Sequence, residues 1–380
     1  MIGFNKPHIT GKEFEYVQEA IKNEKLSGNG YFTQQCHQFF KKRYGFKKVL
    51  LTQSCTVALE MASLLLNIQP GDEVIVPSYT FVSTANAFLL YGAKIVFADS
   101  NHLNPNMDAK HIQSLITKKT KVIVVVHYAG IACDMDAIME IADAHQLFVV
   151  EDAAQAIDSS YKGRPLGSIG HLAAFSFHET KNITSGEGGM LVVNDDSFID
   201  RSEILWEKGT NRSAFFRGEV DKYTWVDKGS SFLPSELTAA FLFAQLECLD
   251  DIQQKRKVAW QQYYDYFLFN KLDGLELPYV NDFASNNAHL FYFITTSLQQ
   301  RDELLMHLKL HNIQAIFHYL PLHNSPYNKS ITHSIVNLKH AERYGDCLIR
   351  LPFYTDISTK DIQYIQECVA LYYRSNRKMH

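Results

Sequence analysis

No two cysteines of this chain form a CxxC pair: the six lie at 36, 55, 133, 248, 347 and 368, without disulfide-like clustering. That pattern excludes a stapled secreted scaffold and fits a reducing compartment, so a cytoplasmic location is the expectation. Nowhere do the ~18 uninterrupted apolar residues of a membrane helix occur, and Met1-Ile-Gly-Phe-Asn-Lys-Pro7 has no basic stretch leading into an apolar one. Neither a membrane span nor an export signal is expected. An excess of charge of one sign is missing too, since 37 Lys and Arg stand against 41 Asp and Glu for a net charge of −4. No broad field would attract nucleic acid, so a phosphate-bearing ligand would have to be held by a local site. There is no HExxH, and no Cys/His cluster accompanies His127, His318 and His323, so no metal is implied. Internal repeats, low-complexity tracts and charge runs are absent as well.

What is present is ordinary globular material, 46% hydrophobic and 21% charged. A chain of 380 residues exceeds the roughly 250–300 at which single cores stop growing, so two lobes are expected, a large one over 1–250 and a small one over 251–380.

Thr10-Gly-Lys-Glu13 has capping-box spacing, and Phe14, Val17 and Ile21 recur at helical intervals, so the chain should open on an amphipathic helix. Apolar runs at Val49–Thr52, Glu73–Pro77, Ile95–Ala98, Val122–Val126 and Leu147–Glu151 read as buried strands, separated by helical patterns at Ser54–Leu66, Phe81–Tyr91 and Met135–His145. Such alternation predicts an α/β fold with a mainly parallel sheet covered on both faces, which binds ligands at the carboxyl ends of its strands. From Pro234 to about Phe267 one long helical pattern reads as the connector between lobes. Strand-like Leu290–Thr295, helix-like Arg301–His311 and a final helix from Thr359 to Tyr373 then suggest a smaller α+β domain.

Four features converge on one chemistry. Lys181 follows the strand-like Leu172–Phe177 and precedes Ser185-Gly-Glu-Gly-Gly189; Asp152 ends the fifth strand, with Gln155 three residues on. Ser54-Cys55-Thr56 opens a helix directly after a strand, where free backbone N–H groups and the positive dipole end favour an anion. Pro77-Ser-Tyr-Thr-Phe81 begins another helix at a strand end with an aromatic, Phe81 before Tyr79 in order of preference. An amine for a Schiff base, a carboxylate for a pyridine nitrogen, donors for a phosphate and a flat ring are the requirements of pyridoxal 5′-phosphate (PLP). Ser176 would add a hydroxyl at the phosphate end, and Gln155 would approach the ring or its hydroxyl. Singly, each has a plain reading: a solvated lysine, a helix cap, a core ring. Gly28-Asn-Gly30 resembles the start of a dinucleotide fingerprint, but Thr33 replaces its third glycine and no strand precedes it.

Pro77-Ser-Tyr-Thr-Phe-Val-Ser-Thr-Ala-Asn86, Glu151-Asp-Ala-Ala-Gln155, Ser176-Phe-His-Glu-Thr-Lys-Asn182 and Gly186-Glu-Gly-Gly189 together resemble the DegT-type sugar-nucleotide aminotransferases, within the aspartate-aminotransferase superfamily of PLP fold type I. The likeness runs from about Phe4 to the C-terminal helix. It extends to members that make dTDP-4-amino-4,6-dideoxygalactose for enterobacterial common antigen, through Glu207-Lys-Gly-Thr-Asn-Arg212, Phe215-Phe-Arg-Gly218, Asp221-Lys-Tyr-Thr-Trp225 and Phe317-His-Tyr-Leu-Pro-Leu-His323. The resemblance implies a homodimer with active sites at the subunit interface and Lys181 as Schiff-base residue, general base and tether. It also implies that Asp152, Gln155, Ser176 and Thr56 contact the cofactor and that L-glutamate and a dTDP-keto sugar are the substrates. Many relatives carry Gly-x-Asn-x-Arg where the neighbouring subunit reaches the phosphate; this chain reads Gly229-Ser-Ser231-Phe-Leu233, which leaves Ser231 for that contact. Lys208, Arg212 and Arg217 are candidates for the substrate's pyrophosphate, and Tyr319 and His323 for its sugar. Amination at C3 or with another stereochemical outcome stays open. Rival readings are a sugar dehydratase on the same fold, which carries histidine at the Lys181 position, and a binding protein without turnover.

Overall fold

The alternation of apolar runs and helical patterns is realised as one seven-stranded sheet in the computed structural model, which describes residues 1–332 and 336–376. The chain runs α1 (Glu13–Lys22), α2 (Tyr31–Tyr44), β1 (Lys48–Thr52), α3 (Cys55–Leu65), β2 (Glu73–Pro77), α4 (Ser83–Leu89), β3 (Lys94–Ala98), α5 (Ala109–Leu115), β4 (Thr120–Val126), α6 (Met135–His145) and β5 (Phe148–Asp152). A two-residue hairpin, β6 (Ser160–Tyr161) and β7 (Arg164–Pro165), leads to β8 (Leu172–Ser176), β9 (Gly189–Val193), α7 (Ile199–Trp206) and α8 (Arg212–Phe216). The sheet order is β1-β9-β8-β5-β4-β2-β3, with β9 antiparallel to both its neighbours and the other pairs parallel. Strands β2 and β9 are buried along their whole length and β4 along nearly all of it, as their unbroken aliphatic sequences require of strands covered on both faces. The expected α/β class is therefore observed. Strand β9 was not foreseen, because its valines follow a glycine-rich stretch that reads as loop.

Two apolar cores lie on opposite faces of this sheet. One gathers residues of α2, α6 and α9 (Glu236–Glu247), among them Phe40, Ile138 and Leu242; the other gathers Leu59, Phe88 and Leu205 from α3, α4 and α7. A third core is built by α10 (Leu249–Asn270), β10 (Tyr292–Ile294), α11 (Leu298–Leu310), β11 (Leu348–Arg350) and α14 (Thr359–Asn376), with α12 (Pro326–Ile331) and α13 (Lys339–Cys347) beside it. The first residues of the chain join this third core, Ile2 bridging to Ile313. None of the described helices is long and apolar enough to cross a membrane.

Two expectations are corrected. The single helix from Pro234 to Phe267 is two, α9 and α10, interrupted at Cys248 (φ −104°, ψ 9°). Ala239, Leu242 and Leu246 pack in the first core while Trp260, Tyr263 and Phe267 pack in the third, and a change of direction serves both. No glycine or proline marks it. In α1, Phe14 (76% exposed) and Ile21 (53%) face outward, and the buried side is Glu13 and Ala20. Glu13 is tolerated there because its carboxylate accepts from Thr10 N, Gly11 N and Gln245 Nε2 at 2.8, 2.8 and 2.6 Å.

The Gly28-Asn-Gly30 stretch has a structural task. Glu236 accepts from the N–H groups of Gly30, Phe32 and Thr33 at 2.9, 2.8 and 3.2 Å, satisfying the start of α2, and a Cβ on Gly30 would fall 2.6 Å from the Glu236 carboxyl carbon.

Candidate active site

The carboxyl ends of β1, β2, β4, β5 and β8 converge, and each contributes a polar group. Asp152 ends β5 and is buried; its Oδ2 accepts from Thr84 Oγ1 at 2.8 Å and its Oδ1 from Ala154 N at 3.2 Å. Thr84 in turn bonds Thr80 Oγ1 at 2.9 Å. Burial pushes the Asp152 pKa up, opposed by those two hydrogen bonds and by the charge of Lys181. Its neighbour Glu151 faces the other way, taking the N–H groups of Gly167, Ile169 and Gly170 and bonding His127 Nε2 at 2.9 Å. The end of the strand is thereby held rigid.

Lys181 lies on a tight loop after β8. Its N–H donates to His178 O, and Phe177 N–H donates to Gly188 O, tying the loop down on both sides. Asn182 anchors it from below through Gln253 Oε1 (2.8 Å), Asn287 O (3.0 Å) and His289 Nδ1 (2.8 Å). The Lys181 amine has no hydrogen-bond partner among the described residues. Burial lowers its pKa from the ordinary 10.5, with Cys55 and Asp152 pulling the other way and the charge of Arg350 adding to the depression. A buried amine that gives up its proton more readily than an exposed lysine, near a buried carboxylate, suits an aldehyde cofactor.

The anion end is built by three adjacent strands. Ser176, Gly189 and Thr52 stand in register across β8, β9 and β1, and α3 begins just beyond. Ser54 caps α3 through Val57 N at 3.2 Å, and the N–H groups of Cys55 and Thr56 find no acceptor among the described residues. A Cβ on Gly189 would stand 2.3 Å from Ser54 C and 2.4 Å from Cys55 N, so only glycine lets the strand pass this helix start. Thr56 Oγ1 is bonded to Ser83 Oγ at 2.7 Å, and Ser176 Oγ accepts from His178 N at 3.4 Å. Buried Cys55 lies with its sulfur 3.9 Å from Asp152 Oδ1. The free N–H groups, the hydroxyls, the carboxylate and the amine fit PLP.

Of the two ring candidates, Tyr79 is buried, among Tyr128, Tyr319 and Tyr344, whereas Phe81 is 56% exposed with its centroid 6.3 Å from Tyr319. Gln155 spans the site: its Oε1 accepts from Ala129 N at 2.7 Å and its Nε2 donates to Tyr319 OH at 3.1 Å. Tyr319 stacks on His318, and His318 Nδ1 bonds Tyr128 OH at 2.7 Å.

The structure contradicts one substrate assignment. His323 is buried, with Nδ1 on Ser78 Oγ (2.6 Å) and Nε2 on Glu342 Oε1 (3.0 Å), so no ring nitrogen is left for a sugar. It fastens the segment after Pro321 to the end of β2 instead. Lys208, Arg212 and Arg217 lie on an exposed arm, whose far end comes back to β1: the Ser231 carbonyl accepts from Gln53 Nε2 at 2.9 Å, directly after that strand. Arg217 is held by Glu203 and Glu219, both at 2.7 Å, and Arg212 is 3.7 Å from Glu207. Arg212 and Arg217 line a cleft of about 490 Å³ with Lys41 and Lys48; Lys48 starts β1, roughly 20 Å of extended chain from Ser54. Thr84, Thr80 and Asn182 escaped assignment from the sequence, although the first two form an i, i+4 hydroxyl pair within the segment quoted above.

The model of the family described as DegT/DnrJ/EryC1/StrS aminotransferase matches residues 7–370. The chain is 35% identical over 374 residues to spore coat polysaccharide biosynthesis protein SpsC of Bacillus subtilis, covering 96% of this chain and 95% of that protein. It is 35% identical over 378 residues to GDP-perosamine synthase of Escherichia coli O157:H7, covering 97% of each. Among solved structures, Spr1654 from Streptococcus pneumoniae in its PLP-form superposes with a TM-score of 0.90 at 26% identity, covering 98% of this chain and 99% of that one.

Proposed function

The chain belongs to the DegT/DnrJ/EryC1/StrS aminotransferase family, and from that premise we propose that it moves the amino group of L-glutamate onto dTDP-4-keto-6-deoxyglucose to give dTDP-4-amino-4,6-dideoxygalactose. At the coarser level it is a PLP-dependent sugar-nucleotide aminotransferase. The observation that carries the reading is the free Lys181 amine within electrostatic reach of the buried, doubly bonded Asp152 carboxylate.

Bound PLP supplies an aldehyde that captures amines and a ring that spreads the electron pair left when a C–H proton departs. The protein's part follows from its residues. Asp152, oriented by Thr84 and Ala154, would accept from the pyridine N–H and favour the protonated ring. Cys55 N–H, Thr56 and Ser176 would hold the phosphate at the start of α3. Phe81 and Gln155 bound the ring and its hydroxyl. The Lys181 amine would tether the cofactor and, once free, would be the group placed to take up and return the donor's α-proton, for which a lowered pKa favours the unprotonated form. Tyr319, held by Gln155, borders the space where the sugar would lie.

The exposed arm supports a homodimer with shared sites. Phe216 (71%) and Trp225 (78%) stand uncovered on it beside Lys208, Arg212 and Ser231, and a second copy would bury the rings while bringing the cations to its neighbour's pyrophosphate. A second reading, with a GDP-linked keto sugar, is favoured by the name of the GDP-perosamine synthase relative. Incubating the protein with glutamate, PLP and either dTDP-4-keto-6-deoxyglucose or its GDP-linked counterpart, with product analysis by NMR, separates them. A 4-amino sugar from the dTDP substrate is expected. Turnover of the GDP sugar alone would replace the dTDP assignment, and turnover of neither would sink the substrate class.

A further inference from the structure

We infer that the cleft beside β1, between α2 and the helices α7 and α8, binds a diphosphate group, at a place apart from the PLP site of the same protomer.

Strand β1 stands at one edge of the sheet, and Lys48 begins it at the end opposite Ser54. The cleft there holds about 490 Å³, within the roughly 300–1,000 Å³ of small-molecule sites. Five cations line it, Lys25, Lys41, Lys48, Arg212 and Arg217, against the carboxylates of Glu203 and Glu207. Glu203 is shared by Lys48 and Arg217, and Glu207 meets Arg212 only at 3.7 Å. Lys25 Nζ donates to Asn29 O at 2.8 Å and has no carboxylate among the described residues. Lys41 makes neither an ion pair nor a side-chain hydrogen bond among them. Burial lowers the Lys41 pKa and the charge of Lys48 lowers it further, with Glu203 alone pulling the other way.

His37, one turn before Lys41 on α2, adds a fixed donor. Its ring is 7% exposed, and its Nε2 accepts from Leu51 N at 3.0 Å. A ring nitrogen that accepts carries no proton, and burial with the charges of Lys48 and Lys41 keeps the imidazole neutral, its pKa pushed down to about 3. The proton therefore sits on Nδ1, which finds no acceptor among the described residues and opens onto the cleft that the ring lines. A nearly buried N–H left without a partner is rare, and one set among cations that outnumber their carboxylates is placed for an anion. One phosphate cannot reach donors on both walls. A diphosphate spreads its charge over two phosphorus centres and can meet His37 and Lys41 on α2 together with the loosely held guanidinium of Arg212 on α8, leaving room for a nucleoside.

The test titrates inorganic pyrophosphate and then dTDP into the PLP-loaded protein by calorimetry, so that the cradle at α3 is already filled. It compares the parent with Lys41→Gln and His37→Gln; glutamine at 37 keeps an acceptor for Leu51 N–H and loses the donor at the Nδ1 position. The pyrophosphate Kd is expected to rise roughly 10-fold in each variant, the loss of one charge-assisted hydrogen bond. The ligand-free melting temperature of Lys41→Gln should hold or rise, because an unpaired cation beside Lys48 is removed, whereas a lysine with a purely structural role would lower it. If His37→Gln does not fold, Lys41→Gln decides alone. No binding by the parent, or parent affinity in a folded variant, overturns the inference. Half-reaction kinetics then tell two sources of the diphosphate apart. A sugar-nucleotide KM that rises in Lys41→Gln with the glutamate KM unchanged makes the substrate the occupant; an unchanged sugar KM with weakened dTDP binding makes it a separate nucleotide, and either supports the cleft. Calorimetry reads the cleft whether or not the protein transaminates, so failure of the aminotransferase reading is seen separately.

Discussion

A lysine can serve an aldehyde only as the free base, and the surroundings of Lys181 shift it in that direction. Burial and the charge of Arg350 depress its pKa below 10.5, against Cys55 and Asp152. The folded state therefore holds this proton less tightly than the unfolded chain does, so Lys181 opposes folding at acid and neutral pH, and the penalty fades as pH rises toward 10.5. Uptake of PLP by the apo-protein should accelerate with pH and level off below the pH an exposed lysine requires, as stopped-flow absorbance would show; a midpoint at the exposed-lysine value would refute the depression. Lys181→Ala should abolish both the visible band of the lysine-bound cofactor and transamination, and turnover at the parent rate would remove Lys181 from its role. For the carboxylate, Thr84→Val leaves Asp152 one bond short where Thr84→Ser keeps it. Valine is expected to cost about 1–3 kcal/mol in urea unfolding and to slow the half-reaction, with serine near the parent. Equal behaviour of the two variants would show that the hydroxyl does not matter.

Strand β9 gives the site its shape at the scale of elements. It returns antiparallel between β8 and β1, bringing Ser176 into line with the start of α3, and only a residue without Cβ can pass there. Gly189→Ala should lose about 1–3 kcal/mol of stability and weaken PLP binding together, since relief of the clash means moving either the strand or the helix start. Denaturant titration with and without PLP would show this, and a variant with parent affinity would mean that the close approach is not needed. The break between α9 and α10 acts similarly, turning one apolar pattern from the first core toward the third.

On the scale of the molecule, the arm at 208–231 has exposed aromatics and cations, and only its last residue returns to the end of β1, where the Ser231 carbonyl accepts from Gln53 Nε2. The proposed homodimer predicts that Phe216→Ser with Trp225→Ser shifts the protein toward monomer in sedimentation velocity and cuts activity with it; a parent protein that sediments as a monomer would overturn the dimer, and an unaltered dimer would place the interface elsewhere. Much of the fold was legible locally: β2 and α6 were read to the residue because aliphatic runs and helical periods are properties of neighbours in sequence. The strand ends bearing Asp152 and Ser176 were legible for the same reason. Strand β9, the break at Cys248 and the outward face of α1 were not, because each depends on which distant core a residue meets. His323 shows this from the other side, since a histidine in a promising segment had both nitrogens claimed by Ser78 and Glu342. What the sequence by itself determined is the alternating scaffold and the reactive groups at its strand ends, which local periodicity and turn chemistry carry. Only the tertiary structure decided that Thr84 holds Asp152, that Gly189 makes room for α3 and that Lys41 stands unpaired, because hydrogen bonds, clashes and orphaned charges exist only between residues that folding brings together.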